Sequence, residues 1–168
     1  MLRETRYLLG HPQVITRMMH ASKSPDLVPR SVVITRVFQA PVERVWAALT
    51  TPEAIRQWSF PVNAFKPEVG FEFEFTCNGP DNEAFTHHCR VTVAIPNKRL
   101  AYTWRYVGYE GDSLVTIELS AEGNQTRVTL THTGLETFPK IPCFDPANFT
   151  EGWTDLIGNA LKKFVETN

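Results

Sequence analysis

The chain predicts an α+β fold in which a curved antiparallel sheet of six to seven strands wraps around one long C-terminal helix. Three observations carry this expectation. From Thr150 to Val165, apolar side chains fall at Trp153, Leu156, Ile157, Ala160, Leu161, Phe164 and Val165, the i, i+3, i+4, i+7 spacing of one helical face. The region before it breaks into strand-like segments separated by short turns, the pattern of an antiparallel meander. The strands are also grouped together rather than alternating with helices, which favours α+β over a parallel α/β sheet. A helix of this length spans about 25 Å at 1.5 Å per residue and needs a broad apolar surface to lie on. A rod laid across a bent sheet leaves a space between the two, and function is expected there.

Residues 1–30 stand apart. Arg3, Arg6, Arg17, Lys23 and Arg30 outnumber Glu4 and Asp26, helical spacing is interrupted at Pro12, and Ser22 to Pro29 reads as a linker. The segment is expected to be an N-terminal arm or linker, with a docked extra helix as the alternative. It has neither the continuous apolar centre nor the small-residue cleavage site of a secretory signal. Residues 31–168 are expected to form the single domain.

Within that domain, Ser31 to Gln39 is rich in β-branched residues and predicts the first strand. Two short helices follow. Ala40-Pro41 opens one, with Pro at the first helical position and Val42, Val45, Trp46 and Leu49 as its apolar stripe. Thr51-Pro52-Glu53 opens the other, with Thr51 as the expected N-cap, and it ends near Trp58. Strands are then expected at about 62–66, 71–77, 85–95, 98–107, 113–121 and 125–133. The later breaks (Asn78-Gly79-Pro80-Asp81, Pro96-Asn97, Gly108 to Asp112, Glu122-Gly123-Asn124) have hairpin chemistry. Residues 135–149 are long for a loop and interleave three prolines with Leu135, Phe138, Ile141, Phe144 and Phe149, so an ordered cover over one end of the sheet is expected.

Strand alternation assigns the faces. The inward set is Phe71, Phe73 and Phe75; Phe85, His87, Cys89, Val91, Val93 and Ile95; Leu100, Tyr102, Trp104 and Tyr106; Val115, Ile117 and Leu119; Val128, Leu130 and His132. Arg90, Thr92, Arg105, Thr116, Glu118, Arg127 and Thr129 face outward, as on a solvated sheet face. The inward face is rich in aromatic rings. Such rings pack a core well; on a curved sheet they also make the wall of a cavity for a mostly apolar small molecule. Both readings stay open here. Trp58, Phe73, Tyr102, Trp104, Phe144 and Trp153 are the candidate walls, and His87 and His132 the candidate orienting polar groups, although a lone strand histidine is more often a hydrogen-bonded structural residue.

Chemical signatures are sparse. There is no Gly-rich phosphate loop, HExxH or GxSxG pattern, and Glu72, Glu74 and Glu118 point outward, so no inward carboxylate pair is expected. No catalytic residue is assigned. His87 and Cys89 share a face, but with His132 they lack a fourth ligand, so neither metal nor cofactor is expected. Cys77, Cys89 and Cys143, without a CxxC, read as reduced thiols of a cytoplasmic protein. A net charge of −1 gives no reason to expect nucleic acid, and no apolar run is long enough to span a membrane.

The segment Arg36-Val37-Phe38-Gln39-Ala40-Pro41-Val42-Glu43-Arg44-Val45-Trp46 resembles the opening motif of the START-like (SRPBCC) superfamily, and most nearly its heat-shock protein 90 ATPase activator homologue family. Thr51-Pro52-Glu53 with Trp58, Arg99 to Trp104, Thr126 to Leu135, and Asn148 to Trp153 are similar to further segments of that family. Val69-Gly70 stands where a glycine pair is usual. The resemblance implies the helix-grip fold, START-like or Bet v 1-like. It implies no catalytic residue, because members bind hydrophobic ligands, act as polyketide cyclases or aromatases, or bind a chaperone. The eukaryotic activators carry a separate N-terminal domain that is not read in this chain, so chaperone stimulation is not expected.

The function expected first is binding of a small hydrophobic or aromatic molecule between sheet and helix, with residues 135–149 controlling access. The alternatives are a polyketide cyclase/aromatase-like enzyme using His87 or His132, and a heat-shock protein 90 interaction protein. A symmetric homodimer is the default assembly for a protein of this size.

Overall fold

The computed structural model describes residues 30–79 and 81–167, so the expected arm lies, except for Arg30, outside the described residues. Six strands form one antiparallel sheet in the order β1-β6-β5-β4-β3-β2: β1 (Val32–Phe38), β2 (Glu72–Asn78), β3 (Ala84–Ile95), β4 (Arg99–Tyr106), β5 (Ser113–Glu122) and β6 (Gln125–Thr133). Strands β2 to β6 are a meander, and β1 closes the far edge by pairing with β6, Val32 opposite His132 and Phe38 opposite Thr126. Two short helices, α1 (Val42–Thr50) and α2 (Pro52–Trp58), fill the turn from β1 to the meander. A C-terminal helical rod runs from Pro146 to Thr167 across the concave face. This is the helix-grip architecture.

The local chemistry accounts for most boundaries. Pro41 is the residue preceding α1 rather than its first residue, in extended backbone that its fixed φ tolerates. Thr51 precedes Pro52 as expected, but its side chain makes no capping bond. Residues 62–66 form no strand. Pro61 and Pro67 bracket the segment, and Val62 and Phe65 turn into the core without a ladder partner.

A β-bulge between Val91 and Val93 changes the expected faces of β3. Val91 pairs with Tyr102 but Val93 with Ala101, so the register shifts by one residue. A one-residue slip moves side chains to the other face. Ala94 therefore packs on the core, whereas Ile95, expected inside, is 45% exposed. The remaining alternation stands: Phe73, Phe75, Phe85, Trp104, Val115, Ile117, Val128 and Leu130 are all buried. On the outer face, Arg90–Glu72, Arg99–Glu118 and Arg127–Glu122 pair at 2.6–2.7 Å; exposed pairs of this kind contribute little to stability.

Residues 135–149 are an ordered cover, built differently from a plain loop. Two single 3₁₀ turns (Leu135–Thr137 and Pro142–Phe144) lead into a helix, α3 (Pro146–Asp155), which starts four residues before the expected helix. Asp145 is its N-cap, accepting a hydrogen bond from the Ala147 N–H at 2.8 Å. Gly134 turns the chain out of β6 with φ at +84°, and a Cβ there would lie 2.7 Å from the Asp112 carbonyl oxygen. Only glycine fits without displacing backbone.

The rod contains a π turn, Leu156–Leu161, between α3 and α4 (Lys162–Thr167). Its innermost residues, Phe149, Trp153, Ile157, Leu161 and Val165, recur every four positions. At 3.6 residues per turn such a repeat drifts about 40° around the helix per step. The wider π turn takes up that drift and keeps the row facing the sheet. At the far end, Arg44 donates to the Val165 carbonyl at 3.3 Å and the Gln39 N–H to Glu166 Oε1 at 2.9 Å, tying the rod to α1 and the end of β1.

Candidate functional site

Between the rod and the β2-β3-β4 end of the sheet lies a cavity of about 270 Å³. The sheet contributes Asn78, His87, Trp104 and Tyr106. His87 and Tyr106 are direct partners in the β3–β4 register, and Trp104, two residues before Tyr106, points to the same face. The rod contributes Asn148, Phe149, Gly152, Trp153 and Leu156, whose spacing places them on neighbouring helical positions. Cys143 lies at the edge, and Phe60 enters from the irregular segment after α2.

Phe60 decides the size of this space. Its ring stacks on Phe75 with centroids 4.2 Å apart and meets Trp104 edge-on at 5.5 Å and Trp153 at 6.2 Å. Behind it is a second void of only about 30 Å³, lined in part by Trp58, Phe73, Tyr102 and Leu100. Phe60 and Trp153 line both spaces. What the sequence suggested as one hollow is thus two, with a phenyl ring between them.

The expected site residues separate accordingly. His87, Trp104 and Trp153 meet at the larger cavity. Trp58, Phe73 and Tyr102 line only the small void, and the Trp58 indole N–H is already donated to the Ala48 carbonyl at 2.9 Å. Burial raises the Tyr102 phenol and holds it protonated. Phe144 packs among Phe85, Tyr106, Tyr109 and Phe138 behind the cavity wall.

His132 lies in neither space. It is 0% exposed, and both ring nitrogens are occupied. Trp153 Nε1–H donates to Nδ1 at 3.0 Å. Nδ1 therefore carries no proton, and the neutral ring holds its hydrogen on Nε2. Nε2–H donates to Ser113 Oγ at 2.8 Å, and that hydroxyl donates to the Trp104 carbonyl at 2.7 Å. The chain runs in one direction from helix to sheet with every buried group satisfied. Burial depresses the His132 pKa to about 3. The expected role as an orienting contact for a ligand is corrected to a structural bolt, because no nitrogen is left to offer.

His87 is the opposite case. It is 6% exposed, stacked on Phe75 at 4.3 Å and set edge-on to Trp104 at 4.8 Å. Its Nδ1 is buried and has no partner. Burial lowers its pKa to about 4, against the opposing pull of the Phe75 and Phe85 carbonyls, so the ring is neutral at pH 7. The Trp104 Nε1–H, on a side chain 4% exposed, is also buried without a partner. It lies near enough to Tyr106 to favour the phenolate slightly, but burial dominates and keeps the Tyr106 phenol protonated.

Among the described residues, no Asp, Glu, Lys or Arg lines the cavity. The nearest carboxylate in the wall is one step removed: Cys143 Sγ–H donates to Glu83 Oε1 at 2.9 Å, which raises the thiol pKa and lowers that of the carboxyl. Cys89 is buried below His87 on β3 with its thiol pKa raised by desolvation. Among the described residues, no three His, Cys, Asp or Glu side chains gather as a metal site, and no helix is long and apolar enough to cross a membrane.

Sequence reasoning missed Phe60, Asn78, Tyr106, Cys143, Asn148, Phe149, Gly152 and Leu156 as lining residues. Tyr106 was legible, being already on the inward face. The Asp145-Pro146 start signal would have extended the helix back to include Asn148 and Phe149 on the face that carries Gly152, Trp153 and Leu156. Phe60 had no signal, since its position depends on a turn without periodicity.

The sequence matches the model of the family described as Activator of Hsp90 ATPase homolog 1-like protein over residues 39–166. Similar solved structures include CV1439 from Chromobacterium violaceum, with a TM-score of 0.70 and 24% identity over 82% of this chain and 98% of that one. CalU16 from Micromonospora echinospora has a TM-score of 0.64 and 26% identity over 85% and 80% of the two chains. DynU16, from the dynemicin biosynthetic locus, has a TM-score of 0.65 and 25% identity over 82% of this chain but 47% of its own. No curated protein is a significant sequence match.

Proposed function

We propose, from the premise that this chain belongs to the Activator of Hsp90 ATPase homolog 1-like family, that it binds a small, uncharged, largely aromatic molecule between its sheet and its C-terminal rod. One observation carries the reading: a cavity of about 270 Å³ walled by Phe60, His87, Trp104, Tyr106, Phe149 and Trp153, with no charged side chain among the described residues of its lining. Ligand pockets are concave and mostly apolar, with a few placed polar groups, and usually exceed about 300 Å³. A space just below that bound suits a molecule of one or two rings. An ionic ligand would lose its hydration there with no counter-charge in return.

The likeness to DynU16, from a biosynthetic locus, supports a small-molecule reading. A catalytic role finds less support. His87, with a pKa near 4, is a weak base at pH 7, and efficient general bases are poised near the working pH.

Binding is tested by titrating naphthalene into the protein and following tryptophan emission, since Trp104 and Trp153 form two walls. Saturable quenching that disappears when Gly152→Phe fills the space is the expected result. No saturable change in either protein would remove the reading.

A further inference from the structure

The rod carries two glycines, and packing accounts for one of them. Gly158 sits in the π turn, where a Cβ would lie 3.2 Å from Arg36 Nε, so the missing side chain makes room for the arginine. Gly152 lies in the interior of α3, and a Cβ there would meet nothing within 4 Å among the described residues. Neither a turn nor a close approach calls for glycine at this position. A glycine inside a helix lowers the folding equilibrium about fivefold relative to alanine. Residue 152 therefore weakens α3 with no return in packing.

The return lies in the cavity. Asn148, Gly152 and Leu156 stand four residues apart and form one row along the rod, beside the buried row of Phe149, Trp153 and Ile157. All three members of the first row line the cavity. Asn148 is fixed at one end, its Nδ2 donating to the Pro142 carbonyl at 2.8 Å, and Leu156 packs on the core at the other. Between them the row has a notch one side chain wide. Asn78, at the end of β2, lines the same space from the sheet, and Cys143 from the cover. Exposure follows the same division. Asn78, Asn148 and Gly152 are exposed, whereas His87, Trp104, Tyr106, Phe149 and Trp153 are buried. The cavity thus reaches the surface at the notch and is closed on its deep side by rings.

We infer that Gly152 is the doorway of the cavity: the absence of a side chain there leaves open the gap between the rod and the end of β2, a flat ring passes through it, and the size of residue 152 sets the rate of passage. This rests on the cavity being a binding site, and it adds the route in and the residue that controls it. The cover of residues 135–149 supplies the frame of the opening, through Cys143 and Asn148.

The test uses the full chain with naphthalene as the probe, and stopped-flow tryptophan quenching to read association and dissociation separately. Gly152→Val fills the notch with a short branched side chain that lacks the reach of Phe. Glu151→Val places the same side chain at an exposed position that does not line the cavity. In Gly152→Val both rates are expected to slow about tenfold, since entry and exit then wait on a movement of the rod, while the dissociation constant stays within about threefold. Glu151→Val should leave both rates as they are. Gly152→Ala reads the fold: in urea its unfolding constant should fall about fivefold. Unchanged association in Gly152→Val overturns the doorway and leaves the cavity reading standing. So does a loss of affinity carried by faster dissociation, which would put residue 152 in the seat of the ligand and not in its path. Equal slowing in Glu151→Val overturns it as well. A less stable Gly152→Ala would show that the fold itself requires the glycine, and overturns it too. If naphthalene does not bind the unaltered protein, the cavity reading falls, and this inference with it.

Discussion

The two buried histidines of the concave face are alike in every respect that a sequence records and opposite in what surrounds them. His87 on β3 and His132 on β6 both point inward, are both buried and are both driven to the neutral form by desolvation. His132 sits under Trp153 where helix and sheet touch, and each nitrogen has a partner within 3.0 Å. His87 sits three strands away in the sheet order, where Phe60 and the start of the rod hold the two layers apart, and its Nδ1 has none. Burial alone therefore does not mark a functional histidine. What separates the two is that the His132 ring is closed off by its own bonds, whereas the His87 ring lines the larger cavity.

The sharpest way to break this comparison is to truncate each ring in turn. His132→Ala should destabilise the protein by about 4 kcal/mol, because it leaves a cavity and strips partners from both Trp153 and Ser113. His87→Ala should cost only about 1–2 kcal/mol, mainly lost stacking on Phe75. Equal costs in urea denaturation would mean that His132 is not the bolt described.

Acid should weaken both histidine sites. Each folded-state pKa, about 3 for His132 and about 4 for His87, lies below the value of about 6.5 for an unfolded chain. The unfolded state then binds more protons, so this stability is complete above pH 6.5 and is lost as the pH falls from there toward 4 and 3. The loss is expected to total on the order of 3 kcal/mol for each ring. Denaturant midpoints at pH 7.5, 5.5 and 4.5 give the slope. A flat profile between 7 and 5 would contradict it. In His87→Phe the slope should be shallower.

Phe60→Ala should cost about 2 kcal/mol, less than for a fully buried ring, and should join the two spaces. A three-ring probe such as anthracene would then bind where the unaltered protein admits two-ring probes only. Unchanged size selectivity would show that Phe60 is not the divider. The smallest effect is expected on the outer face: Glu72→Gln, which removes an exposed partner of Arg90, should change stability by less than about 0.5 kcal/mol.

Much of this molecule was legible in its pattern of residues. Period-two alternation in β4 and β6 put Leu100, Tyr102, Trp104, Val128, Leu130 and His132 on the inward face, where all are found, because only one register buries the apolar set. The apolar stripe of the rod and the hairpin chemistry between strands fixed the α+β order. The bulge in β3 and the π turn were not legible, since each is a response of one element to the shape of its neighbour. Nor was the composition of the cavity. Three of eight expected lining residues meet there, and Phe60, the ring that sets its boundary, lies between the expected second helix and the segment 62–66 that was expected to be a strand.

What the amino-acid order determined by itself is which side chains face inward and that a long amphipathic helix must cover them, since burying apolar surface from either element requires the other. What only the tertiary structure decided is how closely the two layers meet along their length. At one end they touch and tie His132 into a complete hydrogen-bond chain; at the other a single phenyl ring props open a space beside His87. That difference arises from packing between residues far apart in the chain, on which a local pattern has no hold.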